Sequence, residues 1–419
     1  MLGRFSIYFV FAFNLSLFLP IAGKGGANFK MLYDSAKKYK SIEIGLVALD
    51  SAKKNDNVAD IAKAHYLIAF YQNKKAMYYG ALNHYFSALH YYGLSENYNR
   101  QISTMKNIAL IYSVGGFYKK SIEFYQDALA LAIEIRDNER AESIKYVMAR
   151  SYRLDGDIAQ AKSLYMELLE QPVQIRNKKL LVDICLELAL ISGTYEKDYS
   201  KAEEYLNRSV ELEPKKDPYT ISYAELTRYN DLAYFKLMDG DLVSAKQLLK
   251  NGLAAVDQAA GFEDLLVKMY GNLAKVLDKE GKMDECVLMY EEALKVRPYM
   301  KFDNNYLSTA KFVYDHYKQN DAIKADKYAQ LMYEYGKAKD QLQAELQKAS
   351  QEYQILAADY KRKLDLKIAE QRQENIREII IYSIFFICIV SSTVFIFFDK
   401  IQRRKRFQAA LKDFSIIHN

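Results

Sequence analysis

A small residue returns along this chain at an almost constant interval. Ala81, Ser121, Ala161, Ala202, Ala245, Cys286 and Ala325 stand 40, 40, 41, 43, 41 and 39 residues apart. A period of this size marks a stacked array of supersecondary units. Each copy carries another small residue upstream, with a turn between the two. The segment NIALIYSVGGFYKKSIEFYQDAL holds Ala109, Tyr112, Gly116, Tyr118, Ser121, Tyr125 and Ala128. VMARSYRLDGDIAQAKSLYMELL holds Ala149, Tyr152, Gly156, Ala161 and Tyr165. NLAKVLDKEGKMDECVLMYEEALKVRP holds Ala274, Leu277, Gly281, Cys286, Tyr290, Ala293 and Pro298. Looser copies centre on Ala69 with Ala81, Ala189 with Ala202, Ala233 with Ala245, and Val313 with Ala325.

The pattern has a direct physical reading. Each copy is two antiparallel helices joined at the Gly-Asp or Gly-Lys turn. Small residues let the two helices approach, and aromatics fill the gap to the next pair. One pair cannot bury its apolar face alone, so pairs stack. Only 5 prolines and no Trp interrupt this plan, while 36 Tyr and 21 Phe require a large packed interior.

This order of residues, with Pro214 and Pro298 closing their copies, resembles the tetratricopeptide repeat family over about residues 60–336. The resemblance implies an all-α solenoid of about seven helical hairpins across 61–336, after capping helices in 24–60. It also implies that a protein or peptide partner binds the concave face, which the first helix of each pair lines. The departure is length. The family's repeat is about 34 residues, and this one is near 40. Helices longer by nearly a turn, or longer connections between pairs, are expected.

Two hydrophobic segments flank the repeats. Residues 1–23 have Arg4, an apolar run from Phe5 to Leu19, Pro20, and small residues at Ala22-Gly23, which is a signal-peptide pattern. Residues 379–398 form a run of twenty without a charge, long enough for a transmembrane helix. Lys400, Arg403, Arg404, Lys405 and Arg406 follow it at once as a membrane stop. By the positive-inside rule the tail 399–419 is then cytoplasmic, and the repeats are extracytoplasmic on an inner membrane. The net charge of +6 is concentrated beside these segments, so it speaks for membrane topology and against direct nucleic-acid binding.

Between repeats and membrane, residues 337–378 contain no Gly and no Pro. Leu342, Leu346, Ala349, Tyr353, Leu356 and Tyr360 recur at 4, 3, 4, 3 and 4, a heptad seam, and Leu364 and Ile368 follow at 4 and 4, a stutter. The seam fits a coiled-coil stalk that joins two copies. A single helix packed back on the repeats would satisfy the same residues.

Chemistry is sparse. His65, His84, His90, His316 and His418 show no metal-ligand spacing, and the Cys residues share no motif with a His. There is no phosphate-binding Gly loop and no Gly-x-Ser-x-Gly elbow. No enzyme, cofactor or metal is expected. Cys185 and Cys286, in different repeats, read as buried small hydrophobes. First-helix residues not used for packing give a candidate partner groove of Lys106, Asn107, Arg150, Arg153, Tyr234, Asn272 and Lys275. The whole arrangement resembles exported repeat proteins of the Bacteroidetes that carry one span and a cytoplasmic kinase or helix-turn-helix output. The expectation is a membrane-anchored binding protein, the sensory or scaffold part of a signalling system. A static assembly scaffold for an envelope complex and a truncated sensor kinase or transcriptional regulator are the alternatives.

Overall fold

The computed structural model describes residues 28–170, 178–213, 221–256, 262–296 and 304–417. The expected signal segment, Pro214 and Pro298 lie outside them. In the described residues up to Ala349 the chain is a succession of helical hairpins. Helices α1 (Phe29–Tyr39) and α2 (Ile42–Lys54) pair first. Seven further hairpins follow. They are α3 (Val58–Lys74) with α4 (Tyr78–Leu94), α5 (Tyr98–Val114) with α6 (Tyr118–Glu134), and α7 (Asn138–Asp155) with α8 (Ile158–Glu170). Next come α9 (Lys178–Leu190) with α10 (Tyr199–Leu212), α11 (Tyr223–Asp239) with α12 (Leu242–Ala255), and α13 (Glu263–Lys279) with α14 (Met283–Val296). The last hairpin is α15 (Asn304–Tyr317) with the start of α16 (Ala322–Ile417).

The small residues sit where the helices must touch. On the second helices, Ala81, Ser121, Ala161, Ala202, Ala245 and Cys286 have no exposed surface, and Ala325 is buried too. Their first-helix partners Ala69, Ala109, Ala149, Ala189, Ala233, Ala274 and Val313 are equally closed. Tyr85, Tyr125 and Tyr165 then fill the same space in three consecutive hairpins. Both Cys185 and Cys286 are buried free thiols, and burial pushes each up to about 11.

Two devices produce the long period. In the first part, α3, α4, α5 and α6 are each 17 residues long with three-residue links. The link therefore recurs every twenty residues, and so does its left-handed residue: Asp56, Ala76, Glu96, Gly116, Arg136 and Gly156 all have positive φ. Asn57, Asn97 and Asp137 follow three of these and cap the next helix, each accepting the backbone N–H three residues on. In the second part, α10, α12 and α14 shorten to 14 residues, and the links between hairpins lengthen instead. A π-helical turn, Ile191–Glu196, ends the first helix of the fourth repeat. Its extra residue accounts for the interval of 41 between Ala161 and Ala202.

The hairpins and the start of α16, up to Ala349, form one compact unit. From Ser350 onward α16 is a second unit, a continuous helix to Ile417. Within it, Arg372–Thr393 is long and apolar enough to cross a membrane, and none of its described residues is buried.

Candidate functional site

The first helices of successive hairpins present a repeated face. Counted from the small residue of each first helix, the side chains two before and one after share that face, since they are three apart. Two before lie Asn107, Val147, Glu187, Asp231 and Asn272; one after lie Leu110, Arg150, Leu190, Tyr234 and Lys275.

Polar groups about one period apart bridge these helices. Asn107 Nδ2 on α5 donates to the Tyr66 hydroxyl on α3 at 3.1 Å. Lys106 Nζ donates to Ser143 Oγ on α7 at 2.8 Å. Arg153 Nε on α7 donates to Glu187 Oε2 on α9 at 2.8 Å, and both side chains are largely shielded. Burial opposes the Arg153 charge, but the charge and hydrogen bond of Glu187, with Tyr165 and Tyr195, together outweigh it and raise its pKa. Asn272 Nδ2 on α13 donates to Asn230 Oδ1 on α11 at 3.0 Å, and Asn230 Nδ2 donates to Asp231 Oδ1 at 2.8 Å. Four of the seven expected groove residues, Lys106, Asn107, Arg153 and Asn272, are thus engaged in holding repeats together.

Of the other three, Arg150 and Lys275 are exposed, and Tyr234 is half-buried, packed against the core beside Phe235. Arg150 is exposed and has no ion pair among the described residues, yet its charge is felt by Tyr125, Tyr146, Tyr223 and Asp183. Lys275 lies with its ammonium 5.8 Å from the centre of the Tyr234 ring. Lys275 is an exposed residue, yet neighbouring atoms desolvate its ammonium and lower its pKa. Lys106 is lowered by burial and then by Arg140.

Reading single residues missed the acids between these cations. Asp183 and Asp231 are half-buried, and burial raises both, opposed by Lys179 and Lys268 respectively. Lys268 itself is exposed. The signal was available in the period: Asp231 and Glu187 hold the same repeat position as Asn107 and Asn272. The middle of the face, from α7 to α13, thus carries Arg150, Asp183, Asp231, Lys268 and Lys275 among Tyr146, Tyr223 and Tyr234.

Other polar features are internal. His65 and His84 face each other across the first repeat hairpin with Nδ1 atoms 2.9 Å apart, and His65 stacks on Tyr91. An open depression between the links at Ser95–Asn99 and Ile135–Asn138 is floored by helix caps. Among the described residues no group of three His, Cys, Asp or Glu side chains could share a metal ion. Of the expected membrane stop, Lys400 and Arg404 are exposed on α16, and the side chains of Arg403, Lys405 and Arg406 lie outside the described set.

Comparisons agree with this architecture. A tetratricopeptide repeat family model matches residues 182–216 and 267–299, the hairpins α9–α10 and α13–α14. A tetratricopeptide repeat protein from Parabacteroides merdae superposes with a TM-score of 0.52 at 16% identity, covering 69% of this chain and 98% of that one. The apo form of the quorum sensor NprR from B. thuringiensis superposes with a TM-score of 0.55 at 16% identity, covering 79% and 94%. No curated protein matches the chain. The fold is a tetratricopeptide-type solenoid.

Proposed function

We propose that this solenoid binds a protein or peptide along the face of its first helices while α16 tethers it to a membrane. The observation that carries the binding half is the open middle of that face. Arg150, Lys268 and Lys275 are exposed among aromatic rings, and Asp183 and Asp231 are desolvated beside them. Charges kept in so costly a setting gain most when a partner's charged and amide groups complete them. Solenoids use extended surfaces of this kind for binding, and one structural neighbour, NprR, is a quorum sensor.

The tether rests on α16. Ile379, Ile381, Phe385, Phe386 and Ile387 are each more than half exposed, and an apolar surface so continuous needs lipid or a partner to cover it. With Lys400 and Arg403–Arg406 on the inner side, the repeats face outward, and the protein serves as the sensory or scaffold part of an envelope system.

The binding reading is tested with a photo-reactive benzoyl-phenylalanine placed at Lys268, and as a control at the exposed Glu204 of α10, in full-length protein in membranes. Discrete adducts at 268 and none at 204 support it. Equal adducts at both, or none at either, overturn it. Alkaline extraction of those membranes tests the tether: protein released to the supernatant would refute a spanning α16.

A further inference from the structure

Two glycines follow one another at the link between α5 and α6, for different reasons. Gly116 has φ +81, a conformation that favours glycine. Gly115 has φ −80, in the right-handed region open to any residue. What Gly115 lacks is room: a Cβ there would collide with the Leu346 side chain. Gly115 is buried, whereas its counterparts one period away on either side, Lys75 and Asp155, are exposed. Two residues beyond Leu346, Lys348 holds its ammonium 5.1 Å from the centre of the Tyr79 ring, at the start of α4. Leu342, Leu346 and Ala349 are 6%, 0% and 0% exposed. Residues 342–349 of α16 are therefore clasped onto the early repeats.

The same three residues open the heptad seam that continues through Tyr353 and Leu356, and Leu356 is 44% exposed. A side chain with no exposed surface cannot also be a knob in another helix. We propose that the clasp and a parallel dimer of α16 exclude one another: with the clasp closed the seam is held by Gly115, and once it opens, residues 342–356 pair with the same segment of a second copy. The second copy is the fitting occupant because the freed residues keep 4-3 spacing, so identical chains in register offer the matching holes. The proposal stands on the packing of α16 and does not depend on what the first-helix face binds.

The test uses the full chain in detergent, with Cys388 replaced by serine and Leu356→Cys as reporter. Gly115→Val fills the seat of Leu346 without altering the seam. Disulfide dimer is expected to be scarce with Gly115 and several-fold more abundant with valine. Equal yields, whether high or low, overturn the proposal. Should Gly115→Val reduce helical circular dichroism, a second pair replaces it. Gly115→Cys with Leu346→Cys, in a chain that keeps Leu356, locks the clasp when oxidised. Light scattering should then report monomer when oxidised and more dimer when reduced; a dimer unaffected by the lock overturns the proposal.

Discussion

The His65–His84 contact holds because one Nδ1 donates and the other accepts, which two protonated rings cannot do. Burial, then the His84 charge, then Lys53 lower His65 to about 3; burial, then Lys53, lower His84. Tyr91, which stacks on His65, adds no counter-charge. The unfolded chain binds protons that the folded hairpin excludes. The stability this gives is therefore complete above the ordinary histidine value of 6.5 and is lost as pH falls toward 3. For His65 alone, carried all the way to pH 3, the loss is on the order of 5 kcal/mol, from roughly 1.4 kcal/mol per unit. Denaturation midpoints between pH 7 and 4 should fall, and His65→Gln with His84→Gln should flatten that slope. An unchanged slope would assign it to other groups. None of this was legible beforehand, because the two rings are brought together by helix pairing and not by a motif. The left-handed link residues are a residue-scale matter as well. Gly156 at φ +95 should cost roughly 1 kcal/mol when changed to Ala, while Ala76→Gly at φ +57 should gain somewhat less, both readable as urea midpoints.

Helix pairing was the part of the fold that the chain displayed most openly, because close approach tolerates few side chains. Ala69 and Ala81, Ala149 and Ala161, and Ala274 and Cys286 are fixed by sterics at both partners. Helix length was less visible. A period of 40 is met equally by 17-residue helices with short links or by 14-residue helices with long ones, and both occur. The π turn at Ile191–Glu196 shows only as one extra residue in one interval. The groove was legible as a position and not as a state: Arg153 and Asn272 lie on the right helices, but their hydrogen-bonding capacity is used between repeats. That use is testable. Removing Glu187 leaves Arg153 charged, shielded and unpaired, so Glu187→Ala should cost about 3 kcal/mol, more than Arg153→Ala with Glu187→Ala together. A double variant that costs the sum of the singles would mean the pair does not couple α7 to α9.

In a solenoid each repeat touches only its neighbours, so a lesion near one end is felt near that end. The clasp breaks this rule, because Leu346 reaches Gly115 across more than two hundred residues of chain. The heptad pattern could not reveal it. Spacing at 4 and 3 says which side chains share a stripe, while the choice between burying that stripe in the same chain or in another depends on where the array brings its early links. Leu346→Ala separates the two views of the molecule. It removes a side chain with no exposed surface, and a buried Leu→Ala change costs about 2–5 kcal/mol. A purely nearest-neighbour array confines the loss of amide protection to α15 and the start of α16. A clasped array also exposes the end of α5 and the start of α6, from Ile111 to Ser121, and leaves the intervening α9 to α13 unchanged. Hydrogen exchange on the full-length protein reads both regions in one experiment. Faster exchange at 111–121 with silence between would establish that the two ends are joined by packing; change limited to 304–349 would return the protein to an ordinary open array.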